Sequence, residues 1–276
     1  YVTIATTANA VDFGNMQSTA YAYGTASNET RGLFAGGYRP NNSAVVNTID
    51  LITIASTGNA SDFGDLVVAR RSFGGLASPT RGIFMGGAPS TKEEIDYVTI
   101  ATAGDATDFG NMQSGRRDSA ALSSSTRGII AGGNPGTGPQ VTDEIDYITI
   151  ASAGNAQDFG NITNSEREIG GAASSTRGII FGGYSSPAFR NTIDFITIAT
   201  TGNASDFGDL TVARTGTDGC SNKTRAAMCG GSSPTYENLI DYVTIATEGN
   251  AADFGDLIVA RTSYSGCTSD SHGGLS

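Results

Sequence analysis

An aspartate followed by Phe-Gly occurs six times in this chain, at Asp12, Asp62, Asp108, Asp158, Asp206 and Asp253. The triplet can hold magnesium in phosphoryl transfer, but only beside a glycine-rich phosphate loop and a catalytic Asp-Asn loop, and neither pattern is present. Asn59, Asp62 and Asp65, and again Asn203, Asp206 and Asp209, space oxygen donors at i, i+3 and i+6, as a calcium site could use them. Short polar side chains closing their own backbone turns account for the same spacing and are the preferred reading. One histidine, His272, cannot make a multi-histidine centre, and Cys220, Cys229 and Cys267 cannot make a four-cysteine zinc site or a disulfide framework. The cysteines are expected to be buried packing residues, and no cofactor or metal is expected.

The arginines fall into two sets. Nineteen residues after each Asp of Asp-Phe-Gly stands Arg31, Arg81, Arg127, Arg177 or Arg225, with His272 in the sixth copy. Recurrence in every copy argues for scaffold, a guanidinium bracing one rim against a carboxylate such as that Asp. Eight residues after the Asp come Arg70, Arg116, Arg214 and Arg261, with Ala20 and Glu166 in the other copies, and Arg71, Arg117 and Arg167 stand next to that position. If this position comes to an axis of the fold, these guanidinium groups converge at one mouth of a channel and can receive a carboxylate or an acidic sugar. Pairing of each with an acid of the next unit is the alternative.

Elements that could position these residues follow from the repeat. Copies start at Tyr1, Leu51, Tyr97, Tyr147, Phe195 and Tyr242, at intervals of 50, 46, 50, 48 and 47 residues. Each reads as four short strands: a small apolar one (Ser72 to Ala77), a second ending at a Gly-Gly pair (Arg81 to Met85), a third rich in β-branched and aromatic residues (Ile95 to Thr102) and a fourth centred on Phe109. Gly-Asn turns join the third to the fourth. The expected fold is all-β, a six-bladed β-propeller of four-stranded antiparallel blades, near 17–66, 67–112, 113–162, 163–210 and 211–257, with the last built from 258–276 plus 1–16. In that ring, residues near 1–6 pair with residues near 272–276, which leaves no exposed blade edge.

The Gly-Gly pair, the variable loop after it and the following aromatic strand resemble the kelch repeat, including the kelch-like central domain of galactose oxidase, over the whole chain. Kelch blades usually carry a Trp on the last strand and this chain has none, so Phe13, Phe63, Phe109, Phe159, Phe207 and Phe254 are expected to take that packing role. Residues 197–214, Thr-Ile-Ala-Thr-Thr-Gly-Asn-Ala-Ser-Asp-Phe-Gly-Asp-Leu-Thr-Val-Ala-Arg, resemble more specifically the kelch-like repeat proteins of marine tailed phages. That resemblance implies a structural or adhesive role in a virion, on an extracellular particle, with other virion proteins or a host surface glycan or protein as partner.

Sixteen Lys and Arg against 27 Asp and Glu give a net charge of −11, which argues against a nucleic-acid backbone or an anionic membrane surface as partner. No apolar run approaches the ~18 residues of a bilayer span, so no membrane insertion is expected. Three functions stay open. A non-enzymatic binding module would use the rim carrying the variable loops, with Tyr38, Arg39, Tyr184, Phe189, Arg190 and Tyr236 as anchors. A sialidase-like glycoside hydrolase would use arginines and a tyrosine, although its Trp-containing repeat box is missing. An intracellular kelch-type adaptor would recruit a protein partner. The first, without catalysis, is the preferred expectation.

Overall fold

The computed structural model describes residues 1–138, 140–261 and 266–275. Five four-stranded antiparallel sheets form in succession, each in the order of the chain from the inside outward. The first contains β1 (Gly24–Ser27), β2 (Arg31–Ala35), β5 (Thr48–Thr53) and β6 (Ser61–Asp65), with the hairpin β3 (Tyr38–Arg39) and β4 (Ala44–Val45) inserted after β2. The second contains β7 (Gly74–Ala77), β8 (Arg81–Met85), β9 (Glu94–Thr99) and β10 (Thr107–Asn111). The third contains β11 (Ala120–Ser123), β12 (Arg127–Ala131), β13 (Thr142–Thr149) and β14 (Gln157–Glu166). In the fourth are β15 (Gly170–Ala173), β16 (Arg177–Phe181), β19 (Thr192–Thr197) and β20 (Ser205–Asp209), with the hairpin β17 (Tyr184–Ser185) and β18 (Ala188–Phe189) inserted. The fifth has β21 (Asp218–Ser221), β22 (Arg225–Cys229), β23 (Glu237–Thr244) and β24 (Ala252–Arg261). The innermost strands β1, β7, β11, β15 and β21 touch in that order, so the sheets are blades of a β-propeller. Among the described residues there is no α-helix.

The core lies between blades rather than within one. Phe63 packs with Leu33 and Ile49 of its own blade and with Val98 and Ile100 of the next, and Phe109, Phe159 and Phe207 repeat the arrangement one blade further on each time. The phenylalanines thus do fill the space between blades. In five repeats an aromatic ring twelve residues earlier meets the Phe edge-on, as Tyr97 meets Phe109 at 5.9 Å.

Polar contacts repeat with the same period. The carbonyl of Phe63 accepts from Gly104 N at 2.8 Å, and those of Phe13, Phe109, Phe159 and Phe207 accept from Gly58, Gly154, Gly202 and Gly249. Two residues past each Phe, a backbone N–H donates to the turn Asn or Asp of the next unit: Asn15 to Asn59, Asp65 to Asp105, Asn111 to Asn155, Asn161 to Asn203, Asp209 to Asn250 and Asp256 to Asn9, all at 3.0–3.1 Å. Asn59 and Asn203 thus serve as turn acceptors toward the preceding unit. The glycine of Asp-Phe-Gly lies beneath this contact. Gly110 has φ +147°, and a Cβ on it would stand 2.5 Å from the carbonyl oxygen of Gly154.

The Thr-Arg arginines are scaffold, but the partner common to all five is a carbonyl, and among the described residues only Arg177 of the five also meets a carboxylate, Glu248 at 3.6 Å. Arg31 reaches Ile100 O, Arg81 reaches Ile150 O, Arg127 reaches Ile198 O, Arg177 reaches Ile245 O and Arg225 reaches Ala5 O, each in the following unit at 2.8–3.1 Å. Four of them also lie 4.3–4.7 Å over an aromatic ring of their own blade. His272, in the sixth such position, instead contacts Ser27 O at 2.8 Å.

The sequence leads to six four-stranded blades, and among the described residues five are formed. Residues 1–20 contain no strand, and residues 272–275 do not pair with residues 1–6. Gly273–Leu275 form a 3-10 turn against β7, β11 and β15 at one end of the axis, with Gly273 and Gly274 buried. Two glycines and no β-branched residue give this stretch little reason to stay extended. Residues 262–265 and Ser276 of the expected sixth blade lie outside the described residues.

The close approach at Asp-Phe-Gly can be tested directly. Gly110→Ala should destabilise the protein by roughly 1–3 kcal/mol in urea unfolding, through strained backbone and contact with the next blade. Gly104→Ala, where a Cβ meets nothing within 4 Å, should change stability by less than about 0.5 kcal/mol.

Candidate functional site

Two connections share one rim of the propeller: the link into each innermost strand and the variable loop after each Gly-Gly pair. Isolated bridges tie them at Tyr21–Tyr38, Arg71–Ala88, Arg117–Asn134, Arg167–Tyr184 and Thr215–Ser232. Inside that rim, among the described residues, backbone hydrogen bonds run from blade to blade in an arc around the axis. Ser72 N donates to Ala22 O, Asp118 N to Ser72 O, Glu168 N to Asp118 O and Gly216 N to Glu168 O, at 2.7–3.0 Å. These five residues all have φ near +60°. The geometry aims each N–H along the circle at the blade before, and the left-handed backbone is the means.

The ring surrounds the mouth of an axial cavity lined by Gly24, Gly74, Ala120, Gly170 and Asp218. Its acids were not singled out from the sequence. Asp118 and Glu168 lie in the ring itself, paired with Arg117 at 3.4 Å and Arg167 at 3.6 Å. Burial, and then the neighbouring Glu168, raise the Asp118 carboxyl above its ordinary range. Asp218 occupies the first position of β21, where the other blades put Gly or Ala. Burial pushes it up to about 8 although Gly219 N donates to it at 2.9 Å. Their common register, ten or twelve residues after Asp-Phe-Gly, was legible, but the register alone does not say that the position faces the axis.

Of the arginines expected at the mouth, three are elsewhere. Arg70, Arg116 and Arg214 are completely buried. Arg70 pairs with Asp96 at 2.9 Å, Arg116 with Asp146 at 3.0 Å and Arg214 with Asp241 at 2.8 Å. Further donors of the same guanidinium groups reach the backbone of the adjacent strands, as Arg214 Nε reaches Gly230 O at 2.9 Å. The carboxylate belongs to the same blade and not to the next one, as the alternative had it. Each partner is the Asp of an Ile-Asp pair on a third strand, a motif given no role from sequence. These carboxylates also accept from the link between blades, as Asp96 does from Val67 N and Asp241 from Thr211 N.

Blade four reverses the charge. Glu166, in the arginine position, is paired with Arg190 of the variable loop at 3.7 Å, and Asp194 is held by the backbone N–H and hydroxyl of Thr163. Burial raises Glu166 to about 7, against the opposing pull of Arg190. Arg261 is exposed at the end of β24.

The remaining candidates do gather on the variable rim. Tyr21 and Tyr38 pack with centroids 5.2 Å apart and their planes tilted by 50°, and Arg71 lies 5.3 Å over Tyr38. Across the ring, Tyr184 and Phe189 of the β17–β18 hairpin stack at 5.6 Å, with Arg167 5.4 Å over Tyr184. Arg39 donates to Thr48 Oγ1, and Tyr236 is 64% exposed.

The three cysteines, expected as separate packing residues, form one cluster in which every sulfur lies within 4.8 Å of the other two. Counted 14 residues on from Asp206 and Asp253, Cys220 and Cys267 fall in equivalent innermost-strand slots, and the structure shifts the second by one. Ser27 Oγ bonds to Ser269 O as Ser123 Oγ bonds to Ala77 O and Ser221 Oγ to Ala173 O. Gly32 faces Thr268 as Gly82 faces Ala26 and Gly128 faces Leu76. A one-residue shift turns the side chain to the opposite face of an extended chain. Cys267 therefore looks back at Cys220 and Cys229.

No protein-family model matches the chain, and none of the curated proteins matches it.

Two predictions follow from the buried charges. Arg214→Ala should destabilise the protein by about 3–5 kcal/mol by stranding Asp241, and the double variant Arg214→Met, Asp241→Leu should recover most of that loss in urea titrations. Glu166 has a folded-state pKa above its unfolded value, so its contribution is fully present below about pH 4.5 and is lost as pH rises through about 7. Relative to Glu166→Gln, the native protein should lose stability across that window, by roughly 1–3 kcal/mol, and the difference should be level above it.

Proposed function

We propose that this chain is a non-enzymatic structural or adhesive module of a phage virion that holds a protein or glycan partner on its variable rim. The observation that carries this reading is the pair of aromatic and guanidinium stacks, Tyr21, Tyr38 and Arg71 on one side of the channel mouth and Tyr184, Phe189 and Arg167 on the other. Stiff aromatic faces beside arginines supply contact area with little loss of side-chain freedom, and both stacks stand on short inserted hairpins above a rigid frame. The virion assignment is supported by the resemblance of residues 197–214 to repeat proteins of marine tailed phages, and the kelch assignment by the Gly-Gly pairs and the aromatic strands after them.

The ring in this reading has six positions, with both ends of the chain filling the last. Residues 1–15 carry the contacts of third and fourth strands: Ala10 N donates to Asp256 O, Asn9 accepts from Asp256 N, and Phe13 O accepts from Gly58 N. Residues 267–269 supply the inner strand, through Thr25 Oγ1 to Cys267 O and Ser269 Oγ to Ser221 O. Against a hydrolase, three of the arginines expected at the channel mouth, Arg70, Arg116 and Arg214, are engaged by buried aspartates.

Binding of the purified chain to a glycan array and to dissociated virion proteins tests the proposal. Tyr38→Ala with Tyr184→Ala should weaken binding at least tenfold without changing the melting temperature by more than a few degrees. Undiminished binding, or release of sugar from a bound glycan, would refute it.

A further inference from the structure

All three cysteines of a 276-residue chain meet in one place. They come from three separate stretches: Cys220 from β21, Cys229 from β22, and Cys267 from the extended segment after the fifth blade. The corresponding interfaces between other blades are filled by alkyl and aromatic side chains. Where Cys220 stands the other blades have Ala26, Leu76, Leu122 and Ala172, and where Cys229 stands they have Ala35, Met85, Ala131 and Phe181. The last core cluster is accordingly small, three buried residues with Cys220 and Cys229 at its margin.

Packing alone does not explain this exchange. A cysteine fills the place of an alanine or a valine with a reactive atom, and three of them aimed at one point place three sulfurs around a common centre. In a triangle with sides of at most 4.8 Å that centre is within about 2.8 Å of every sulfur, so inward movements of about 0.5 Å reach the ~2.3 Å of a zinc–thiolate bond. A disulfide would use two of the three and leave the third unexplained.

We propose that Cys220, Cys229 and Cys267 form a trithiolate site for a single thiophilic cation of closed d-shell, zinc(II) or copper(I), which fastens residues 266–269 to the fifth blade. For a divalent ion the three thiols bind it as thiolates and release three protons, so that no oxidant or reductant takes part. Zinc leaves a fourth position for water, whereas copper(I) is satisfied by three soft ligands. The ion joins a segment that has no ladder of its own to the strands β21 and β22, and its binding free energy adds to the stability of that junction.

The test uses the full chain, reduced and freed of metal by a chelator under anaerobic conditions, and cadmium(II) as the probe. One equivalent of cadmium should produce the ultraviolet charge-transfer absorption of thiolate ligation, release protons to a pH indicator and raise the melting temperature. Zinc(II) should displace the probe. Cys229→Ala and Cys220→Ala put back the alanine that sibling blades carry at these positions, so both should fold. Together with Cys267→Ala they should each weaken cadmium binding at least tenfold while moving the metal-free melting temperature by no more than a few degrees. The proposal is overturned by absence of the absorption in the reduced protein, or by its persistence in the alanine variants. It is equally overturned if, once air is admitted as oxidant, two of the thiols join as a disulfide in the presence of one equivalent of zinc(II) while the metal stays free.

Discussion

The contact on which the rest of the structure depends is the one between the Asp-Phe-Gly segment of each unit and the turn of the next. It is made through the phenylalanine carbonyl in five units and through the N–H two residues past the phenylalanine in all six. A radial sheet has two broad faces, and each must be covered by a neighbour. Dispersion and burial of apolar surface between blades supply the attraction but no fixed distance along the face, because apolar contact is not directional. The Phe carbonyl with its Gly N–H, and the backbone N–H with its Asn Oδ1, define that distance at the outer edge of every interface. The arginine from the second strand defines it again further in, by reaching a third-strand carbonyl of the neighbour. The glycine is required because both backbones meet there.

At the axis the same problem has a different answer. The innermost strands converge, so side chains must be small, and Gly74, Ala120 and Gly170 leave room where Asp218 alone brings a carboxyl. Backbone N–H groups of the left-handed residues just before these strands find acceptors in the preceding blade. The buried Arg–Asp pairs sit between these two zones. They tie three of the links between blades down onto the third strand, and neighbouring carbonyls take up further donors of each guanidinium, all of them at Arg214 but not the Nε of Arg70 or Arg116, which lowers the cost of burying the ion pair. Since the pairs are neutral in sum, the net charge of −11 is carried by residues outside them, exposed acids of the outermost strands such as Asp62 and Asp108 among them.

The sequence read correctly wherever a spacing is fixed by the backbone. The second strand begins at Arg81 and ends at Met85 as read, and the phenylalanines lie between blades, because period, turn residues and β-branched runs are local signals. What could not be read was direction. Arg70 and Arg71 are adjacent, yet the first is sealed inside a blade and the second lies over Tyr38 on the rim. Which of two neighbours turns inward is decided by the Asp of the Ile-Asp pair, 26 residues after Arg70 in the chain. The charge reversal at Glu166 and Arg190 gave a hint of pairing, since an acid replaced a base in the same slot, but its partner lay in a loop of variable length.

Counting also failed at the end of the chain, and there the failure is informative. From Asp253 the spacing places Cys267 in the slot of Cys220, facing away from the fifth blade, and the serine and glycine contacts put Thr268 there instead. Had the count held, the thiol of Cys267 would face the first blade and stand apart from the other two. A slip of one residue in an extended segment costs little where no ladder enforces register, and residues 266–269 are joined to their neighbours mostly through hydroxyl groups and not through a regular ladder. Serine and threonine hydroxyls adapt to either register, whereas the cysteine side chains do not. The register is therefore set by what Ser27, Ser221 and Cys220 offer on the two flanking blades, and the place where the repeat is least regular is the place where its side chains are chemically most distinct.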